Sequence, residues 1–182
     1  MTQAPSPLAQ LPGDLMIWVL ILSELLVFGA GLAAFLAVRI GDPSGFADAQ
    51  SALHPGRAGI NTVVLVTSGW LAACALACSE AGRHKASALR LVLAAALGVV
   101  FLALKASEFR ELAAQGIDTE THPFFTFYYL LTGFHAAHVI AGVVILSLVA
   151  WANKARNVEA GAAFWHMVDL IWIILFPVIY LL

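Results

Sequence analysis

The chain has 182 residues, of which 62% are hydrophobic and only 11% charged. Soluble domains are about 45–50% apolar and about 25% charged, so this composition excludes an ordinary soluble domain and predicts an integral membrane protein. A net charge of −2 supplies no basic surface and argues against a nucleic-acid partner.

Residues Met1 to Gly13 contain no Lys or Arg, so no cleavable secretory leader is expected there. Pro5, Pro7 and Pro12 make them a short irregular lead-in. Residues 14–182 are expected to form one membrane domain. A helix needs about 20 apolar residues to cross the hydrocarbon core. Five stretches qualify, at about 15–38, 60–78, 87–106, 124–151 and 162–182. The predicted fold is therefore all-α, a five-helix transmembrane bundle, with longer connections over 40–59 and 107–123. With the N-terminus inside, the cytoplasmic loops hold Arg83, Lys85, Lys154 and Arg156, with Arg90 close by. The opposite side holds Arg39, Arg57 and Arg110. This bias favours N-terminus in and C-terminus out.

The first span carries Glu24 on a face with Leu20, Phe28, Gly31 and Phe35. Charged groups at membrane depth cost about 2.5–3.5 kcal/mol or more, so a carboxyl there has a reason. Two readings stand: a hydrogen-bonded group pinning helices together, or a proton-binding or lipid-headgroup site. The second span opens at Gly59-Ile60-Asn61-Thr62 and then places Ser68, Ala72, Ala75 and Ser79 on one face. Small residues at this spacing let helices pack closely, and no chemistry is expected from them. Cys74 and Cys78 lie four apart on one side of the same span and read as packing rather than as a metal or disulfide pair.

On the third span Gly98, Phe101, Lys105 and Glu108 share a stripe. Lys105 is expected to snorkel to the interface and pair with Glu108 at i,i+3. The fourth span holds His135 and His138 on a face with Phe124, Tyr128 and Gly142. Two histidines at i,i+3 could ligate a metal, but such a site needs three or more ligands. Glu24, His166 and Asp169 would have to complete it. The preferred reading is a buried hydrogen-bond network joining the first, fourth and fifth spans. The fifth span opens with Phe164-Trp165-His166-Met167-Val168-Asp169. His166 and Asp169 share a helical face that continues through Ile173, Phe176 and Tyr180.

Taken in order, these strings resemble subunit III of the haem–copper respiratory oxidases. The matching stretches are Glu24-Leu25-Leu26-Val27-Phe28-Gly29, Ile60-Asn61-Thr62 with Ser68-Gly69, and Leu97-Gly98-Val99-Val100-Phe101 followed by Glu108-Phe109. Thr132-Gly133-Phe134-His135-Ala136-Ala137-His138-Val139 and Phe164-Trp165-His166-Met167-Val168-Asp169 complete them. The mitochondrial-type members have seven helices. This chain lacks the first two and is similar to the five-helix bacterial branch. Within that branch it looks most like the accessory protein associated with nitric oxide reductase. That likeness rests on Pro12-Gly13-Asp14, Lys105 before Glu108, Phe124-Phe125-Thr126-Phe127-Tyr128-Tyr129, Met167-Val168-Asp169-Leu170 and Leu175-Phe176-Pro177.

The resemblance implies a non-catalytic subunit of the bacterial cytoplasmic membrane that works in respiratory electron transport. It would bind no haem, copper or other cofactor directly. It would hold phospholipid, pack against haem-bearing subunit I of an oxidase or the catalytic subunit of nitric oxide reductase, and support stability and proton uptake there. Glu24 matches the family's intramembrane carboxylate, His135 and His138 its paired histidines, and His166 and Asp169 its final-helix pair. Trp165, Asn61, Lys105 and Glu108 join them as candidate lipid or partner contacts. The lipid-holding cleft of seven-helix members needs the two helices missing here. The alternatives are a standalone membrane metalloenzyme using the two fourth-span histidines, or a small transporter. The chain shows neither the broken helices nor the repeats of a transporter.

Overall fold

The computed structural model describes residues 15–152 and 154–182. The expected lead-in over 1–13 and the Pro12-Gly13-Asp14 string lie outside the described residues. The described chain is helical: α1 (Leu15–Gly41), α2 (Pro43–Gln50), α3 (Pro55–Glu80), α4 (His84–Ala114), α5 (Pro123–Ala152) and α6 (Ala155–Tyr180). Five of these are long and apolar enough to cross a membrane.

The sixth, α2, corrects the five-helix expectation. It is 8 residues long and falls within a stretch read as a connection. Its start is encoded locally. Asp42 is the N-cap, its side chain accepting the Gly45 N–H at 3.0 Å, and Pro43 occupies the first turn. A search for runs of about 20 apolar residues passes over such an element.

The long helices also overrun their predicted ends. The third span, expected over 87–106, becomes the 31-residue α4, and the last, expected from 162, begins at Ala155. Hydropathy marks the hydrocarbon core, whereas the helix continues into the interface until its caps end it. Those caps are specific for α3 and α4. Gly82 and Gly116 have φ of 70° and 74°. Arg83 N–H bonds to Cys78 C=O at 2.8 Å, and Ile117 N–H to Leu112 C=O at 3.0 Å. Both ends are Schellman motifs, in which only glycine takes the left-handed position without strain.

The helices α3, α4, α5 and α6 pack into one core, with α1 leaning on α5 and α6, and α2 lying against α5 and α1. At the α2 end, His122 ties two caps together. Its Nδ1 accepts the Phe124 N–H at 3.1 Å, and its Nε2 faces Asp42 Oδ2 at 3.3 Å. The Gly45 amide, and then His122, hold the Asp42 carboxyl below the usual carboxylate range. The same end is closed by Gln50, whose Nε2 donates to Ile179 C=O at 2.9 Å, and by Arg39, which donates to Leu182 C=O.

Candidate functional site

Polar side chains inside the bundle form three separate groups, each at a helix seam. The seams are set by two α6 tryptophans. Trp165 sits over two glycines that leave room for its ring. A Cβ on Gly142 would stand 2.4 Å from ring carbons of Trp165, and one on Gly98 would stand 2.7 Å away. Its indole N–H donates to Ser68 Oγ at 3.0 Å, and Ser68 donates to Ala94 C=O at 2.7 Å. Trp172 donates to Thr62 Oγ1 at 2.9 Å. The second span was expected to contribute only close packing. It also supplies the hydroxyls that receive both indoles, because an indole N–H facing hydrocarbon has no water to turn to.

The first group surrounds Lys105, which is 2% exposed. The i,i+3 pairing with Glu108 is present, at 3.0 Å, but the expectation of a snorkelling interfacial lysine is corrected. The ammonium also donates to Tyr128 Oη at 3.0 Å and to Tyr180 Oη. The Tyr180 hydroxyl lies 3.0 and 3.1 Å from the two Glu108 oxygens and donates to them. Four rings, of Phe109, Tyr128, Trp172 and Tyr180, stand 4.5 to 5.5 Å from Nζ. Three donors are thus matched by three acceptors inside an aromatic cage, which removes the reason to reach for water. Asn61 lies beside this group, its Nδ2 donating to Phe101 C=O at 3.3 Å.

The second group joins α1 to α5. His138 Nε2 approaches Glu24 Oε2 to 3.1 Å without the alignment of a formed hydrogen bond. His138 Nδ1 lies 2.9 Å from Phe134 C=O. A carbonyl only accepts, so Nδ1 carries a proton.

His135 does not join that pair. It is fully buried, stacked on Trp172 at 5.1 Å and edge-on to Phe101 at 5.7 Å, with neither ring nitrogen hydrogen-bonded to a described residue. The two histidines, three apart on one helix, therefore diverge. One is enclosed by the α3–α6 core and the other stands at the α1 seam.

The third group is Asp169, 7% exposed, and His166, whose Nδ1 is 3.9 Å from Asp169 Oδ2. Asp169 packs against α3, not α1 or α5. A Cβ at Gly69 would come within 1.9 Å of its Oδ2. Both residues line an open groove with Val66, Trp70 and Ile173.

The expected single network across the first, fourth and fifth spans is thus corrected to three groups, one per seam. The interior is too closely filled with aromatic rings for one polar system to bridge them. Among the described residues, no three His, Cys, Asp or Glu side chains stand close enough to hold a metal ion. Cys74 and Cys78 are free thiols. The sequence reading missed Tyr128, Tyr180, Ser68, Thr62 and Trp172 as site residues. The sequence puts Tyr128 on a face with His135 and His138, and Tyr180 on a face with His166 and Asp169; both instead meet Lys105, 23 and 75 residues away in the chain.

The family model described as cytochrome c oxidase subunit III matches residues 14–182. The chain is 30% identical to cytochrome c oxidase subunit 3 of Thermostichus vulcanus, over 90% of this chain and 84% of that one. It is 32% identical to cytochrome c oxidase subunit 3 of Corynebacterium diphtheriae, over 89% of this chain and 84% of that one. It is 24% identical to cytochrome bo(3) ubiquinol oxidase subunit 3 of Pseudomonas aeruginosa, over 91% and 82%. With a match along the whole described bundle, the chain belongs to the cytochrome c oxidase subunit III family.

Proposed function

We propose that this chain is a non-catalytic membrane subunit that packs against the haem-bearing subunit of a haem–copper oxidase or of the related nitric oxide reductase. The observation that carries this reading is family membership across nearly the whole chain. Relatives named for both a cytochrome c and a ubiquinol oxidase leave the electron donor open. The finer assignment, to a nitric oxide reductase acting in denitrification, is supported by Lys105 preceding Glu108 and by the aromatic run at the start of α5. The orientation proposed is N-terminus in, as the Lys and Arg distribution favours.

The chain also holds a phospholipid. The groove between α1 and α6 is lined in its depth by Ile17, Trp18, Ile21, Met167 and Leu170. Arg156 and Asn157 stand at its neighbouring mouth beside Leu15 and Met16. Glu159 lines both the trough and its mouth, and an apolar trough opening beside such polar and charged groups fits an acyl chain below a lipid headgroup. Glu24 and His138 bring a carboxyl and an imidazole to within 3.1 Å at the α1 seam, the support proposed for proton uptake by the partner.

The test is gentle detergent extraction of the tagged chain from its native membrane, followed by an optical spectrum and lipid analysis of the eluate. Haem absorbance with a stoichiometric large membrane subunit is expected. Oxygen or nitric oxide consumption by that complex then names the partner. A colourless chain without a large subunit overturns the accessory reading.

A further inference from the structure

A narrow cleft of about 70 Å³ opens between α3 and α4, lined by Arg57, Asn61, Leu104, Ser107 and Glu108. It has two kinds of wall. Arg57 lies at its outer edge and forms a two-point bridge to Glu111 at 2.5 and 2.6 Å. At its inner edge are Asn61, which is 4% exposed, and Glu108. Asn61 Oδ1 is buried and accepts no hydrogen bond from the described residues. A buried amide oxygen without a donor is costly, and a cleft of this size, largely apolar but with Asn61, Ser107 and Glu108 in its wall, has room for about two waters, each of which can donate to that oxygen. Glu108 belongs to both sides. Its carboxylate accepts from Lys105 and Tyr180 within the cage and also forms part of the cleft wall.

We propose that this cleft is a hydrated inlet, its water held by Asn61 and Glu108, through which the buried Lys105–Glu108–Tyr180 group exchanges protons with the aqueous phase at the α2 end. A proton arriving from water adds to the Glu108 carboxylate and leaves by the same route. Within the cage the ammonium protons of Lys105 pass to Glu108 and are replaced from it. Among the described residues, the titratable groups that face Lys105 are Glu108 on its own helix, Tyr128 on α5 and Tyr180 on α6, and Arg57 on α3 borders the path in the cleft wall. His135 lies behind Trp172 and faces the cage only through that ring. The inlet rests on these side chains alone and holds whichever oxidase or reductase the chain serves.

The experiment uses the full chain in lipid nanodiscs with its lysines labelled with ¹⁵N at Nζ. The chain has three lysines, Lys85, Lys105 and Lys154, and the spectrum of Lys105→Gln identifies the Lys105 signal. The ammonium of Lys105 is expected to exchange with D₂O while the α4 core amides stay protected. Asn61→Leu, which removes the water acceptor and fills the cleft, should slow that exchange about tenfold or more. If Asn61→Leu does not fold, Ser107→Leu narrows the same cleft. The Ser107 hydroxyl bonds only its own helix, to Leu104 C=O at 2.7 Å. A Lys105 signal as protected as the core amides in the wild-type chain overturns the inlet. So does an exchange rate unchanged in the filled-cleft variant.

Discussion

The helices α1 and α6 are both long apolar spans, yet they are embedded very differently. α6 buries residues from Val158 to Tyr180, whereas α1 buries only Phe28, Leu32 and Phe35 among its described residues. In lipid the hydrophobic effect does not drive helices together, so the difference is one of specific contacts. α6 brings two indole donors, a tyrosine hydroxyl and an aspartate to the bundle. α1 brings a strip of phenylalanines packed on rings of α2 and α5, and one carboxyl facing His138. The core is therefore held by matched polar groups in its interior. α1 has the Glu24–His138 pair along its length and the Arg39 bond to Leu182 C=O at its end, and leaves Leu22, Leu26 and Val27 outward, a face for lipid or a neighbouring subunit.

Substitutions can break or sharpen that contrast. The largest effect is expected in the cage. Lys105→Met strips Glu108 and both tyrosine hydroxyls of their donor and should cost about 3–5 kcal/mol, as removing one partner of a buried pair does. Denaturant titration in mixed micelles measures it. The double variant Lys105→Met/Glu108→Gln should recover part of the loss. A Lys105→Met chain as stable as the wild type would remove the core's claim to polar matching. Next is Gly142→Val, which pushes side-chain carbons into Trp165 and should cost about 1–3 kcal/mol by overpacking. Its indole fluorescence should shift as the Ser68 bond is lost.

At the α1 seam, Glu24→Gln should change bundle stability by less than about 1 kcal/mol, the scale of single polar contacts between membrane helices. It should still lower complex yield or turnover with the haem-bearing partner. Unchanged yield and turnover would show the pair to be merely structural. The smallest effect concerns the Asp42 clasp. The folded carboxyl lies below its ordinary value, so its contribution is complete above about pH 4 and fades as pH falls through the lowered folded value. The wild-type melting temperature should drop slightly over that acidic window, and Asp42→Asn should lack that drop.

The spans, and the residues that deserved suspicion, could be read from the chain because a charge in an apolar run stands out against about 20 neutral neighbours. Glu24, Lys105 and Asp169 were visible in that way. The i,i+3 spacing also gives Glu108 as a partner of Lys105, but not the tyrosines that come from other helices. Helical periodicity places His135 beside His138, but only the packing of α6 encloses one and leaves the other facing α1. Lys105 sits where a lone lysine would reach for the interface. It stays inside because Tyr128 and Tyr180 arrive from two other helices. The helix α2 was overlooked for a different reason: its signals are a cap and a proline, and neither changes hydropathy.

The pairing of Trp165 with Ser68 and Trp172 with Thr62 bears on how the protein is made. The two bonds run in opposite chain directions, so α6 can dock on α3 in only one antiparallel register without stranding an indole. Meanwhile Ser68 already has Ala94 C=O, and Thr62 has Ala58 C=O at 2.9 Å. The two hydroxyls therefore have acceptors within α3 and α4 and present their oxygens to α6. The register is selected when α6 docks, and the two hydroxyls read it out.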